Sequence, residues 1–212
     1  MKLIKMLGFS VSAAVVAMAL AGAGTALASG TTALCKEKAV TCPEAQRYPA
    51  GTVLEGVSTN PVLLGTFGGF FTGSISCENS VVAGKLDAKV GTPLSGTIEK
   101  ITFTGNCKST FGGTCTVTTI KKGKLDLLWI AENLGTATSL ENEIEVKCGG
   151  FPTVECVFGG TPTLHAEGSP VKELTAKEAS LTALRGSACP TNPRWDALYK
   201  ITQPSGSVFI TH

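Results

Sequence analysis

Three kinds of residue in this chain could do chemistry: eight cysteines, two histidines and a run of alternating glutamates. In "SLENEIEVKC", Glu141, Glu143 and Glu145 share one face of a strand at successive spacings of about 7 Å, a separation compatible with acid/base work on a glycosidic bond. A charge run of this kind is ordinarily a solvated face, and no aromatic or basic partner stands beside it in sequence. His165 and the C-terminal His212 are the only bases available to a hydrolytic triad, and no G-x-S-x-G elbow or H-E-x-x-H helix occurs. His165 stands beside Glu167 on one strand face, a surface arrangement. No catalytic residues are assigned.

The cysteines lie at positions 35, 42, 77, 107, 115, 148, 156 and 189. With two histidines, three aspartates and no C-x-x-C, they do not compose a metal or thioredoxin-like site, so no metal and no cofactor are expected. An even number in an exported chain reads as a disulfide framework. Pairing near neighbours gives Cys35–Cys42, Cys107–Cys115 and Cys148–Cys156 and leaves Cys77–Cys189 to tie the first third of the chain to the last. That is one of many possible connectivities.

Export is read from the first 28 residues, where Lys2 and Lys5 precede an apolar stretch that ends in Ala26-Leu27-Ala28. This is the pattern of a signal peptide cleaved before Ser29. No membrane span is expected after cleavage. Losing the leader removes two of the 18 basic residues and leaves 16 against 16 acidic ones. A balanced chain has no electrostatic reason to seek nucleic acid.

The elements that must position these residues are strands. In "SLENEIEVKC" Leu140, Ile144, Val146 and Cys148 oppose the glutamates, and in "RWDALYKI" Trp195, Ala197, Tyr199 and Ile201 oppose Asp196 and Lys200. "KLDLLWIA" places Leu125, Leu127 and Trp129 on one face and Leu128 and Ile130 on the other, as a strand covered on both sides would. "SPVKELTAKEASLTALRG" opens like a helix with Ser169 and Pro170, yet its second half alternates, which favours a strand over Glu178–Leu184. Gly112 and Gly113 suit the tip of a hairpin between Cys107 and Cys115. The pattern predicts an all-β fold: a two-sheet antiparallel β-sandwich of roughly a dozen short strands, braced by disulfides. The expected organisation is a leader at 1–28, an N-terminal disulfide knob at 29–50 and one sandwich domain at 51–212.

Two segments could recognise a partner. Phe67, Phe70 and Phe71 ride among glycines in "GTFGGFFTGS" and form a candidate binding surface, although large rings of this kind are usually buried. The loop Gly149–Glu155, between Cys148 and Cys156, could present a reactive segment to a protease.

The C-terminal "ACPTNPRWDALYKITQPSGSVFI", the N-terminal "CKEKAVTCPEAQRYPAGT" and the paired cysteines between them resemble a group of exported proteins of soil actinobacteria. That resemblance implies an all-β secreted domain and carries no catalytic residues over. The sequence therefore reads as a secreted binding or structural module at or outside the cell envelope, with an envelope polymer or an extracellular protein as its partner. A secreted hydrolase using the dispersed glutamates and an extracellular protease inhibitor are the alternatives.

Overall fold

The computed structural model describes residues 30–67, 71–150 and 153–212; the expected leader lies outside the described residues. Eighteen strands make up the fold among them: β1 (Thr32–Cys35), β2 (Val53–Thr59), β3 (Val62–Phe67), β4 (Phe71–Ser76), β5 (Asn79–Leu86), β6 (Val90–Gly91), β7 (Leu94–Thr104), β8 (Cys107–Ser109), β9 (Thr114–Lys121), β10 (Lys124–Ala131), β11 (Leu134–Leu140), β12 (Glu143–Cys148), β13 (Val154–Gly159), β14 (Thr163–Glu167), β15 (Glu173–Ser180), β16 (Thr182–Ser187), β17 (Thr191–Gln203) and β18 (Phe209–Thr211). Strand accounts for 66% of the fold and helix for 2%, so the all-β expectation holds.

The two-sheet sandwich does not describe the sheet. Fifteen strands form one antiparallel sheet in the order β15-β14-β11-β10-β7-β5-β2-β17-β3-β4-β8-β9-β12-β13-β16. β15 also pairs back onto β17, from Glu173↔Lys200 to Ser180↔Arg194. That pairing closes eight strands, β15 through β17, into a barrel, with the remaining strands as an extension. Closure removes two free edges that a sandwich would leave.

β17 makes both halves possible. Its 13 residues outrun any one neighbour: Thr191 to Asp196 pair with β3, and Tyr199 to Gln203 pair with β2. The inward alternation read from its sequence is present, with Ala197 and Tyr199 buried and Trp195 and Ile201 partly so. β10 also turns Leu125, Leu127 and Trp129 inward, but Ile130 is 40% exposed, so its outer face is uncovered. The segment Glu178–Leu184 spans the end of β15 and the start of β16, with Leu181 between them rather than inside one strand.

A small three-stranded sheet, β18-β1-β6, brings the two ends of the described chain together. Residues of the N-terminal knob thereby join the barrel: Leu34 and Tyr48 pack with Leu86, Leu94, Leu127, Val208 and Ile210 in its core. A second core, around Leu63, Phe67, Val146, Val154 and Phe158, lies under the extension.

All eight cysteines are bridged. Cys35–Cys42 is as expected, but the other bonds are Cys77–Cys107, Cys115–Cys148 and Cys156–Cys189. Cys107 and Cys115 do face each other across the β8–β9 hairpin. Their sulfurs are taken from the other side, because Cys115 also stands opposite Cys148 of β12. The bonds therefore staple hairpin to hairpin instead of closing each hairpin on itself. Gly113 sits at the hairpin tip at φ +87°, where an added Cβ would collide with the carbonyl oxygen of Gly149.

Candidate functional site: an apolar cavity through the barrel

An eight-stranded barrel is just wide enough for its interior side chains to fill it, or to hold one small ligand where they do not. Here they do not. Inward positions of β2 are Leu54, Gly56 and Ser58, those of β5 include Ser80, Val82 and Gly84, and those of β11 are Gly135, Ala137 and Ser139. Of these small residues, Gly56, Gly84, Ala137 and Ser139 border the space left at the axis, while Gly135 lies under Ile210 and Ser58 and Ser80 lie beside Tyr199.

The result is a cavity of about 180 Å³, walled mainly by aliphatic and aromatic carbon. Leu34, Val208 and Ile210 close it on the side of the small sheet. That cap is fastened by the Tyr48 hydroxyl, which donates to Ser207 O at 2.9 Å, and by Trp129 N–H, which donates to Thr32 Oγ1 at 2.9 Å. In the other direction the cavity passes Trp195 and Phe103, whose rings meet edge to face at 5.6 Å, and reaches Leu63, Ile75 and Val146. It therefore joins the two cores.

Few polar groups border it. Tyr199 and Gln203 are among them; the Tyr199 hydroxyl shares a hydrogen bond of 3.0 Å with that of Ser80, which lies off the wall, and burial pushes the phenol up to about 12. Glu55, between the inward Leu54 and Gly56, carries its carboxylate on the exposed face, where it accepts a hydrogen bond from Thr202 Oγ1 at 2.7 Å. Ser139 and Asn142 are different: Ser139 Oγ and Asn142 Oδ1 are buried and have no hydrogen-bond partner. No Lys, Arg or His is among the described residues that border the cavity.

The residues singled out from sequence lie elsewhere. Phe67 is 1% exposed and packs edge to face on Phe111 at 5.0 Å, so it is a core ring and not a surface one. Phe70 and the Phe71 side chain lie outside the described residues. Glu141 stands in the β11–β12 turn rather than on the strand and pairs with Lys121 at 3.4 Å. Glu143 pairs with Arg185 at 3.1 Å, and Glu145 with Lys147 at 3.2 Å. Lys147 is held above the usual lysine range by its hydrogen bonds to Glu155 and Glu145. None of the three glutamates borders the cavity. His165 is exposed on β14. Cys148 and Cys156 are not bonded to each other, so the loop between them is not closed by a bridge of its own; its residues 151 and 152 lie outside the described residues.

Two signals for this site were present in the sequence. Asn142 has the same parity as Ile144, Val146 and Cys148, so a polar amide occupies an inward position of an otherwise apolar face. The run of Gly, Ala and Ser at alternate positions of β11 marks a wall without bulk. Comparison with known proteins finds no matching family model, no similar curated protein and no similar solved structure.

Proposed function

We propose that the protein is an exported, non-enzymatic binding module that holds a small apolar molecule inside its barrel. One observation carries this reading: the carbon-walled cavity that links the two cores. Ligand sites are typically concave, mostly apolar and furnished with a few polar groups, and this interior has that composition. Apolar cavities of comparable size stay dry and bind small hydrocarbons. Export is supported by the leader pattern at 1–28 and by four disulfides, which fit an oxidising compartment. On this reading recognition takes place within the fold and not on an outer aromatic patch, in keeping with the buried position of Phe67.

The test is titration of the delipidated protein with N-phenyl-1-naphthylamine, a neutral fluorophore that brightens in apolar surroundings. Saturable binding at about one molecule per chain is expected, and it should be lost in Ala137→Leu, which places a larger side chain on the cavity wall. Absence of saturable binding, or an unchanged titration in that variant, would overturn the proposal.

A further inference from the structure

Resting on that reading, we propose a ligand class: a neutral amphiphile whose hydroxyl group hydrogen-bonds to Asn142 and Ser139, with its hydrocarbon part along the cavity. Buried polar side-chain atoms almost always have partners, and a lone buried acceptor is costly. Asn142 is 8% exposed and its amide oxygen has no partner, and Ser139 Oγ, three residues earlier near the end of β11, is also unpartnered. Both residues border the cavity. Their other neighbours on its wall include Ile144, Phe158 and Pro162, whose side chains offer no hydrogen-bonding atom. A group that donates to the amide oxygen and accepts from the serine satisfies both, and a hydroxyl does so alone. Were the amide turned to present its nitrogen, a hydroxyl would still serve, because it both donates and accepts.

The charge around the cavity excludes the commoner amphiphiles. A carboxylate or phosphate head group would enter with no Lys, Arg or His to meet it. An uncompensated charge in such surroundings is expensive to desolvate. A cationic head finds no carboxylate inside either, since the Glu55 side chain lies on the exposed face of β2 with Thr202.

Calorimetric titration of the full mature chain with four probes of matched chain length decides the matter: octan-1-ol, its isomer 1-methoxyheptane, octanoate and octylamine. One net hydrogen bond predicts octan-1-ol binding about threefold to tenfold tighter than the ether, which has an acceptor but no donor. Octanoate should bind weakest. Equal affinity for alcohol and ether would overturn the proposed head-group contact while leaving the apolar cavity intact; a preference for octanoate or octylamine would replace it with a charged head group. If none of the four binds, the cavity reading falls with it. In Asn142→Leu the alcohol-to-ether preference should vanish, while Tm of the unliganded protein should rise by a few degrees because an orphaned buried acceptor is gone. A preference that survives in that variant would also overturn the assignment.

Discussion

Tyr199 tests whether the interior is as dry as the cavity wall implies. Its phenol is 5% exposed and raised to about 12 by desolvation, against an ordinary tyrosine value of 10.0. A group whose folded pKa lies above its unfolded one contributes stability that is intact below the unfolded pKa and is lost as pH rises through the folded one. Two units correspond to about 3 kcal/mol in all, of which roughly half is gone by about pH 11. Tyr199→Phe removes that titration but leaves Ser80 Oγ without its 3.0 Å partner. Losing the bond should cost about 1–3 kcal/mol near neutral pH. Urea unfolding of both proteins, followed from about pH 7 to about pH 11, should therefore show a gap that narrows by about 1 kcal/mol as wild type weakens and the variant does not. Tyr48 is also raised by desolvation, but it is present in both chains and cancels in the difference. A gap constant to the top of the range would mean that the phenol meets water when folded and that the wall beside it is wet.

Three further outcomes follow from the packing. Phe67→Ser should destabilise the fold by about 3–5 kcal/mol in chemical denaturation, since it empties a core position against Phe111; a change under about 1 kcal/mol would restore the surface reading of that ring. The triple variant Glu141→Gln, Glu143→Gln, Glu145→Gln breaks three pairs on the outer face and should lower stability by no more than about 1 kcal/mol per pair. Its titration with N-phenyl-1-naphthylamine should match wild type, and a lost response would tie those carboxylates to the site. Replacing both Cys115 and Cys148 by Ser opens a loop of sequence separation 33, and chain entropy predicts a loss of about 3.7 kcal/mol. Full stability in that variant would show that the staple restrains nothing the sheet does not already hold.

What could be read from the sequence was local. Alternation on β17 and on the first part of β10 gave the inward faces correctly, because side-chain parity in a strand is fixed by the backbone. Closure could not be read the same way. It depends on Glu173 to Ser180 meeting Lys200 to Arg194 while β17 also serves β2 and β3, and no short window records which of three neighbours a long strand will take. The disulfides failed for a related reason: Cys107 has a facing cysteine across its hairpin, but Cys115 faces two, and only the order of strands chooses between them. In hindsight the spacing holds a trace of the answer, since the two staples of the extension that join Cys115–Cys148 and Cys156–Cys189 have the same separation of 33. The site was legible only as anomalies, an asparagine at an inward position and a strand of small inward residues, and their meaning required the cavity to be seen around them.

The void itself can be weighed. At about 24 cal/mol per Å³, leaving 180 Å³ empty forgoes about 4 kcal/mol of packing, a large share of the 5–15 kcal/mol by which a domain is usually stable. One long staple offsets about as much, so this scaffold can sustain an interior that a chain of this size held by packing alone would be pressed to fill. Proteins that keep such a site generally gain stability when it is closed and lose function in doing so. Ala137→Leu should accordingly raise the Tm of the unliganded chain while it removes ligand binding, because the added carbons enter open space. If instead the variant loses the 1–3 kcal/mol typical of an overfilled core, Ala137 already meets its neighbours, the walls touch in solution, and the barrel has no room for the molecule assigned to it.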